Sequence, residues 1–73
     1  MPLIELKADI TGSIWKILKA AGDEVAEDEP VIIMESMKME IPVTSPESGR
    51  IEEILVTEGQ IVTDGAIVAR VQV

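Results

Sequence analysis

A chain of 73 residues accommodates one domain, predicted to span 1–73, and its formal net charge of -8 opposes non-specific binding to nucleic acid. It contains neither Cys nor His, which excludes disulfides, thiolate sites and the commonest zinc ligand and general base. Catalysis by this chain alone is therefore not expected. The sequence does not open with a signal-peptide pattern and has no apolar run of membrane-spanning length, so a cytoplasmic protein without a membrane partner is predicted.

The composition favours β structure, because Ile, Val and Thr supply nearly a third of the residues while Phe and Tyr are absent. Eight short strands are predicted in chain order, at 2–8, 13–19, 24–26, 30–36, 39–45, 49–56, 61–63 and 66–72. Strands of this number and length predict an all-β fold, a flattened barrel or sandwich of two antiparallel sheets.

The two halves of the chain, about 1–36 and 37–73, look like copies at an offset of 37 residues. The segment Gly12-Ser13-Ile14 aligns with Gly49-Arg50-Ile51, and further aligned pairs are Ile4 with Ile41, Leu6 with Val43, Ile17-Leu18 with Ile54-Leu55, Gly22 with Gly59, Val25 with Val62, and Val31 with Val68. An internal repeat predicts a quasi-two-fold fold. The chain termini would then lie at the end opposite the junction of the copies.

Residues 14–25 can also be interpreted as a helix, because their apolar positions have amphipathic helical spacing. In the second copy the same framework carries the mainly β-branched series Ile54-Leu55-Val56-Thr57, which favours a strand. Both segments are therefore interpreted as strands, and the three-residue apolar spacing as a bulge or bend.

The acidic residues between Asp23 and Glu29 form the one cluster of charge in the chain. The alternating Asp and Asn ligands and the central Gly of a calcium loop are missing. A solvated turn is predicted here, and no metal site.

The junction of the copies is the most unusual segment. Two apolar runs flank Met37-Lys38, which predicts a tight hairpin with the pairs Ser36 and Met39, Glu35 and Glu40, Met34 and Ile41, and Ile32 and Val43. Two-residue hairpin loops favour Asn or Gly, and facing carboxylates repel each other. Local rules are thus broken around one exposed amine, which indicates a functional role for Lys38.

The segment Glu35-Ser36-Met37-Lys38-Met39 resembles the modification site of the biotinyl domains of biotin-dependent carboxylases, where a lysine between two methionines carries biotin. The sister lipoyl domains place a lysine in the same hairpin, usually after Asp and before Ala. Met37 and Met39 therefore favour biotin, with lipoate as the alternative.

The resemblance covers essentially the whole chain, since the turns at Gly22-Asp23-Glu24-Val25 and Gly59-Gln60-Ile61-Val62 are similar to the family's repeated turns, as are the glycines of Gly49-Arg50-Ile51 and Gly65-Ala66-Ile67. Asp9 departs from the family where Pro is common, and Asp28 where Gly is usual. The connection from Leu18 to Val25 is too short for the protruding thumb of some bacterial carboxylase subunits.

The resemblance implies a sandwich with the modification hairpin at one end and a carrier function without catalytic residues. Biotin attached to Lys38 by a biotin protein ligase would take a carboxyl group from a biotin carboxylase to a carboxyltransferase, which carboxylates an acyl-CoA or a 2-oxo acid. Glu35, Met37 and Met39 would flank the lysine as contacts for the ligase or the carboxylase partners. In isolation the domain is expected to be a monomer.

Two other functions fit parts of the sequence. Met34, Met37 and Met39 supply thioethers that could hold Cu(I), although strand alternation predicts Met34 on the face opposite the tip residues, in the core. A pure interaction module could use Trp15, which aligns with the polar Glu52 and is therefore expected to be partly exposed.

Overall fold

The computed structural model describes residues 2–73, so Met1, the first residue of the predicted domain, lies outside the described residues. The eight strands are β1 (Leu3–Lys7), β2 (Gly12–Ile17), β3 (Glu24–Val25), β4 (Pro30–Ser36), β5 (Met39–Thr44), β6 (Gly49–Ile54), β7 (Ile61–Val62) and β8 (Ile67–Gln72). Each begins and ends within two residues of its predicted bounds. Residues 2–73 contain no helix, so the helical interpretation of 14–25 is wrong, and no helix there could cross a membrane.

The strands form two antiparallel sheets of four, which confirms the predicted fold class. The order in the first sheet is β1-β8-β6-β3, and in the second it is β5-β4-β2-β7. Each sheet therefore contains strands from both copies of the repeat. Because neither copy completes a sheet alone, the two copies must fold together.

The core between the sheets is filled from equivalent positions of the two copies. Ile14 and Ile51 are each 1% exposed, and the pair Val31 and Val68 is completely buried. The other buried apolar residues are Leu6, Ala8, Val25, Ile32, Met34, Val43, Val56, Val62, Ala69 and Val71. The apolar matches that revealed the repeat are thus mainly core residues.

The bulge that the sequence predicted is present in both copies. The pairing of β2 with β4 shifts between Ile14 and Lys16, and that of β6 with β8 shifts between Ile51 and Glu53. One extra residue, Trp15 or Glu52, is accommodated at each shift. A bulge bends its strand and changes which side chains face inward, so it explains the helix-like apolar spacing.

Backbone hydrogen bonds lock each copy to the other. The N–H of Gly22 donates to the carbonyl of Ile51 (2.8 Å), and the equivalent N–H of Gly59 donates to the carbonyl of Ile14 (2.7 Å). Gly22 has φ 95° and Gly59 has φ 91°, a left-handed conformation that glycine adopts without a Cβ clash. Each turn therefore closes on a core strand of the opposite copy.

The acidic cluster shapes two turns, as predicted. The Asp23 Oδ2 atom accepts the backbone N–H of Ala20 (2.9 Å), and Glu29 Oε1 accepts that of Ala26 (2.9 Å). This second bond, together with Lys19 at 3.2 Å, lowers the pKa of Glu29. Asp28 has φ 65°, in the left-handed region that Asp tolerates better than most residues. The carboxylates of Asp23 and Glu29 therefore stabilise these turns by accepting backbone hydrogen bonds.

Met34 provides a direct test of the packing, because it is completely buried whereas Met37 is 92% exposed. We expect Met34→Ala to lower the free energy of unfolding by about 2–5 kcal/mol, the usual cost of a large-to-small core substitution. The matched variant Met37→Ala should change it by less than about 0.5 kcal/mol. Urea denaturation of both variants measures the difference, and equal losses would contradict the assignment of Met34 to the core.

Candidate functional site

The hairpin of β4 and β5 has the predicted register. Residue pairs run from Ser36 opposite Met39 and Glu35 opposite Glu40 to Ile32 opposite Val43. Only Met37 and Lys38 remain in the loop between the strands. Lys38 is therefore at the tip of the hairpin, as the sequence predicted.

Both loop residues adopt left-handed backbone conformations, with φ 53° at Met37 and φ 66° at Lys38. Positive φ at both central positions is the pattern of a type I′ turn, for which Asn and Gly are the favoured residues. Non-glycine residues held in this region cost on the order of 1–3 kcal/mol each. The turn thus keeps Met and Lys at positions where Asn and Gly would adopt the left-handed backbone at lower cost.

The framework beneath the turn holds it in place. The Ser36 hydroxyl donates a hydrogen bond to the Thr11 carbonyl (3.1 Å), which ties the end of β4 to the loop before β2. Gly12 lies so close to the hairpin that an added Cβ would be 2.6 Å from the Glu35 carbonyl oxygen. The hairpin base is therefore packed against the backbone of β2, while the tip extends beyond it.

The side chains at the tip are exposed. The exposed fraction is 92% for Met37 and 62% for Met39, and Lys38, Glu35 and Glu40 are exposed as well. Within residues 2–73 no ion pair involves Lys38 or either glutamate. The amine of Lys38 is thus accessible to an enzyme without displacing a partner in the described part of the chain.

The three methionines of the copper hypothesis occupy different environments. The prediction that Met34 faces away from the tip residues is wrong for Met39. Directly paired residues share a face, and the pairing of Met34 with Ile41 and of Ser36 with Met39 puts Met34 and Met39 on the same one. Burial separates them instead, because Met34 is completely buried and Met39 is mostly exposed. A site that combined all three thioethers would require Met34 to leave the core.

Trp15 is 44% exposed, which confirms the partial exposure expected from its alignment with Glu52. It is the extra residue of the bulge in β2, and the Lys16 ammonium lies 5.4 Å from the centre of its ring. This distance is within the range of a cation–π contact. Trp15 lies on a strand that neighbours β4, outside the hairpin itself.

Sequence reasoning missed several residues around the hairpin. Thr11 and Gly12 fix its base, and the Thr11 hydroxyl also accepts the backbone N–H of Asp64 (3.1 Å). Ile61 is 75% exposed on β7, which pairs with β2 at Gly12 and Ser13. The repeat carried a signal for Ile61, since its counterpart is the charged Glu24.

An exposed lysine at the tip of a hairpin, on a two-fold sandwich, defines a carrier type of domain. Residues 4–71 match the family model described as "Biotin-requiring enzyme", and the chain belongs to this family. Within this family, the chain is a non-catalytic carrier domain.

Three relatives illustrate the range of proteins similar to this chain. The Biotin/lipoyl attachment protein of Bacillus subtilis is 40% identical over 58 residues, covering 80% of each chain. The Biotin carboxyl carrier protein of Streptococcus mutans is 38% identical over 60 residues, covering 82% of this chain and 46% of the relative. A dihydrolipoyllysine-residue acetyltransferase component from Corynebacterium glutamicum is 41% identical over 68 residues, covering 92% of this chain and 10% of the relative.

Among solved structures, the urea carboxylase of Kluyveromyces lactis contains a region similar to this chain with a TM-score of 0.93 and 36% sequence identity. The match covers 99% of this chain and 6% of the carboxylase. The fold described above is therefore also found as a small part of a large carboxylase.

The strained turn leads to a stability prediction. Replacing Met37-Lys38 by Asn-Gly should raise the free energy of unfolding by about 1–2 kcal/mol, because these residues adopt the type I′ conformation at little cost. Lys38→Ala removes the same lysine side chain without relieving the left-handed backbone, so it should change stability by less than about 0.5 kcal/mol. Thermal and urea unfolding compare the two. If the Asn-Gly variant were no more stable than Lys38→Ala, the turn would not be strained.

Proposed function

We propose that Lys38 is biotinylated and that the domain carries carboxyl groups on this biotin between the active sites of partner enzymes. The observation that supports the proposal most directly is the exposed Lys38 between Met37 and Met39, which has no ion pair within residues 2–73 and lies in a turn whose left-handed backbone Met and Lys rarely adopt. Membership of the family and the similarity to a biotin carboxyl carrier protein support biotin as the attached group.

The residues around Lys38 fit such an attachment. An amide forms between the Nζ atom and the carboxyl carbon of an activated biotin, the activating group leaves, and the ammonium loses two protons in all. The formal net charge of the chain changes from -8 to -9. No core side chain takes part, because Met37, Lys38 and Met39 are all exposed.

The protein would supply position and reach, while the bound biotin would supply the site that accepts and releases the carboxyl group. The lysine side chain starts at the far end of a hairpin whose base is fixed by Ser36 and Gly12. A rigid base with a long arm lets the carried group enter an active site while the sandwich stays outside. We propose a biotin carboxylase and a carboxyltransferase as the two sites visited, with an acyl-CoA or a 2-oxo acid as the acceptor.

The remaining expectations from the sequence belong to the same proposal. A biotin protein ligase would form the amide on Lys38, and Glu35, Met37 and Met39 would contact the ligase or the carboxylase partners. The domain would act as a monomer in the cytoplasm. Met37 and Met39 are suited to such contacts because thioether side chains adapt to irregular apolar surfaces.

The attachment site is tested by Lys38→Arg, which keeps the positive charge but cannot form the amide. We expect this variant to carry no biotin when it is produced in biotin-replete cells, whereas the matched variants Lys16→Arg and Lys19→Arg should be biotinylated at the parental level. Intact-mass measurement after purification provides the readout, and it also distinguishes a biotinyl from a lipoyl adduct. If the Lys38→Arg variant still carried biotin, the attachment site would be another lysine.

The choice of biotin over lipoate is tested by Met37→Asp combined with Met39→Ala, which gives the lipoyl-like sequence Glu-Ser-Asp-Lys-Ala. Biotinylation should fall much more than stability, since both methionines are exposed. The new carboxylate lies near Glu35 and Glu40, so thermal melts of the single and double variants must separate charge repulsion from lost recognition. If the folded double variant were biotinylated at the parental rate, the methionines would not discriminate between the cofactors.

A further inference from the structure

The outer faces of the two sheets can be compared position by position, because the repeat relates them. On the first sheet Arg70 lies opposite Glu5 on one side and Glu53 on the other. Its guanidinium is 2.7 Å from Glu53 Oε1 and 3.8 Å from Glu5 Oε2. This row of the first sheet consists of paired charges facing solvent.

The equivalent row on the second sheet is largely apolar. Ile33 takes the place of Arg70 and lies opposite Pro42 and Lys16. Trp15, 44% exposed, takes the place of Glu52 at the bulge. The same fold accepts charged side chains at the equivalent positions, so the stability of the sandwich does not require this apolar face. Trp15 and Pro42 are exposed and Ile33 is partly exposed, and apolar groups clustered at a surface indicate an interaction site.

The row nearer the hairpin tip is polar at three positions and apolar at Ile61. The next row toward the tip crosses all four strands of the second sheet, from Glu40 to Glu35, Ser13 and Ile61. Ile61 is 75% exposed, and its counterpart in the first copy is Glu24. We define the apolar sheet face as Trp15, Ile33, Pro42 and Ile61.

We propose that the apolar sheet face is a docking surface for the ligase that acylates Lys38, an inference that rests on the proposed function. An enzyme that forms a bond to the Lys38 Nζ atom must bring its active site within one lysine side chain of the turn. Partners that act on a carried group meet that group at the end of a longer arm. The ligase is therefore the partner whose surface must overlie the strands next to the tip.

The charges beside the face indicate the chemistry of the docking partner. Glu35 and Glu40 lie opposite each other on the same side of the sheet, and neither forms an ion pair within residues 2–73. Their repulsion is relieved when a cationic group approaches. The ligase surface that fits has an apolar centre over Trp15 and Ile33 and Lys or Arg side chains over the two glutamates. A net charge of -8 on the carrier favours the same encounter.

The test compares two substitutions that introduce the same charge on opposite sheets. Trp15→Glu gives position 15 the residue that the second copy has there, Glu52. The control is Leu3→Glu on the first sheet, because Leu3 is 50% exposed and its counterpart in the second copy is Glu40. With a purified biotin protein ligase, biotin and ATP, kcat/KM for biotin transfer should fall about tenfold or more for Trp15→Glu, as expected for a tryptophan at the centre of an interface. Leu3→Glu should stay within about twofold of the parent.

If Trp15→Glu melts below the assay temperature, Pro42→Glu provides a second variant. The counterpart of Pro42 in the first copy is Glu5, so the fold accepts Glu at this position. The proposed docking surface would be wrong if folded Trp15→Glu or Pro42→Glu kept the parental kcat/KM. It would also be wrong if Trp15→Glu and Leu3→Glu lost kcat/KM equally. These outcomes are independent of Lys38→Arg, whose continued biotinylation would instead overturn the proposed function.

A binding measurement tests the face without turnover. Trp15 is the only Trp in the chain, so carrier labelled with 5-fluorotryptophan has one fluorine resonance. Titration with unlabelled ligase should shift or broaden this resonance, and the Lys38→Arg carrier should show the same change because it retains the face. A resonance unaffected at saturating ligase would show that Trp15 lies outside the interface.

Discussion

The reciprocal hydrogen bonds between the two copies are the constraint on which the rest of this structure depends. The turn at Gly22 closes on Ile51, and the turn at Gly59 closes on Ile14, so each copy completes the backbone bonding of the other. Both sheets mix strands from both copies, which makes the core between them common to the whole chain. A chain of this size has little apolar area to spare, and sharing one core lets two short copies form a single stable body.

That body explains how an unfavourable turn persists. Met37 and Lys38 are held in left-handed conformations by strands whose inner residues, such as Met34 and Ile32, are completely buried. Releasing the turn would require the register of β4 and β5 to change, and a slip of one residue would expose those core side chains. The buried contacts of the core therefore offset the free-energy cost of the turn, and the side chains at the tip stay exposed.

The repeat made most of the fold predictable, because the second copy resolved what the first left ambiguous. The series Ile54-Leu55-Val56-Thr57 favoured a strand over a helix for the framework that it shares with 14–25, although β6 ends at Ile54 and the equivalent strand β2 ends at Ile17. The hairpin register followed from apolar side chains that must face one core. Contacts that depend on loop backbone, such as Ser36 with the Thr11 carbonyl, have no such pattern and were not predictable. The face of Met39 was misjudged because alternation holds only along one strand: across the two-residue loop, the pairing of Ser36 with Met39 puts Met39 on the face that Met34 occupies.

The two copies share a framework but differ at their surfaces. These differences distinguish residues that the fold requires from residues that are available for function. Core positions are occupied by similar side chains in both copies, as Ile14 and Ile51 show. Outer positions diverge in character, with Arg70 paired to Glu53 on one sheet and Ile33 opposite Lys16 on the other. Selection for stability acts alike on equivalent sites of a symmetric body, so it does not account for this divergence. In the pairs Ile33 with Arg70 and Trp15 with Glu52, the apolar member lies on the sheet that bears the hairpin, which is the sheet proposed to contact a partner that reaches Lys38.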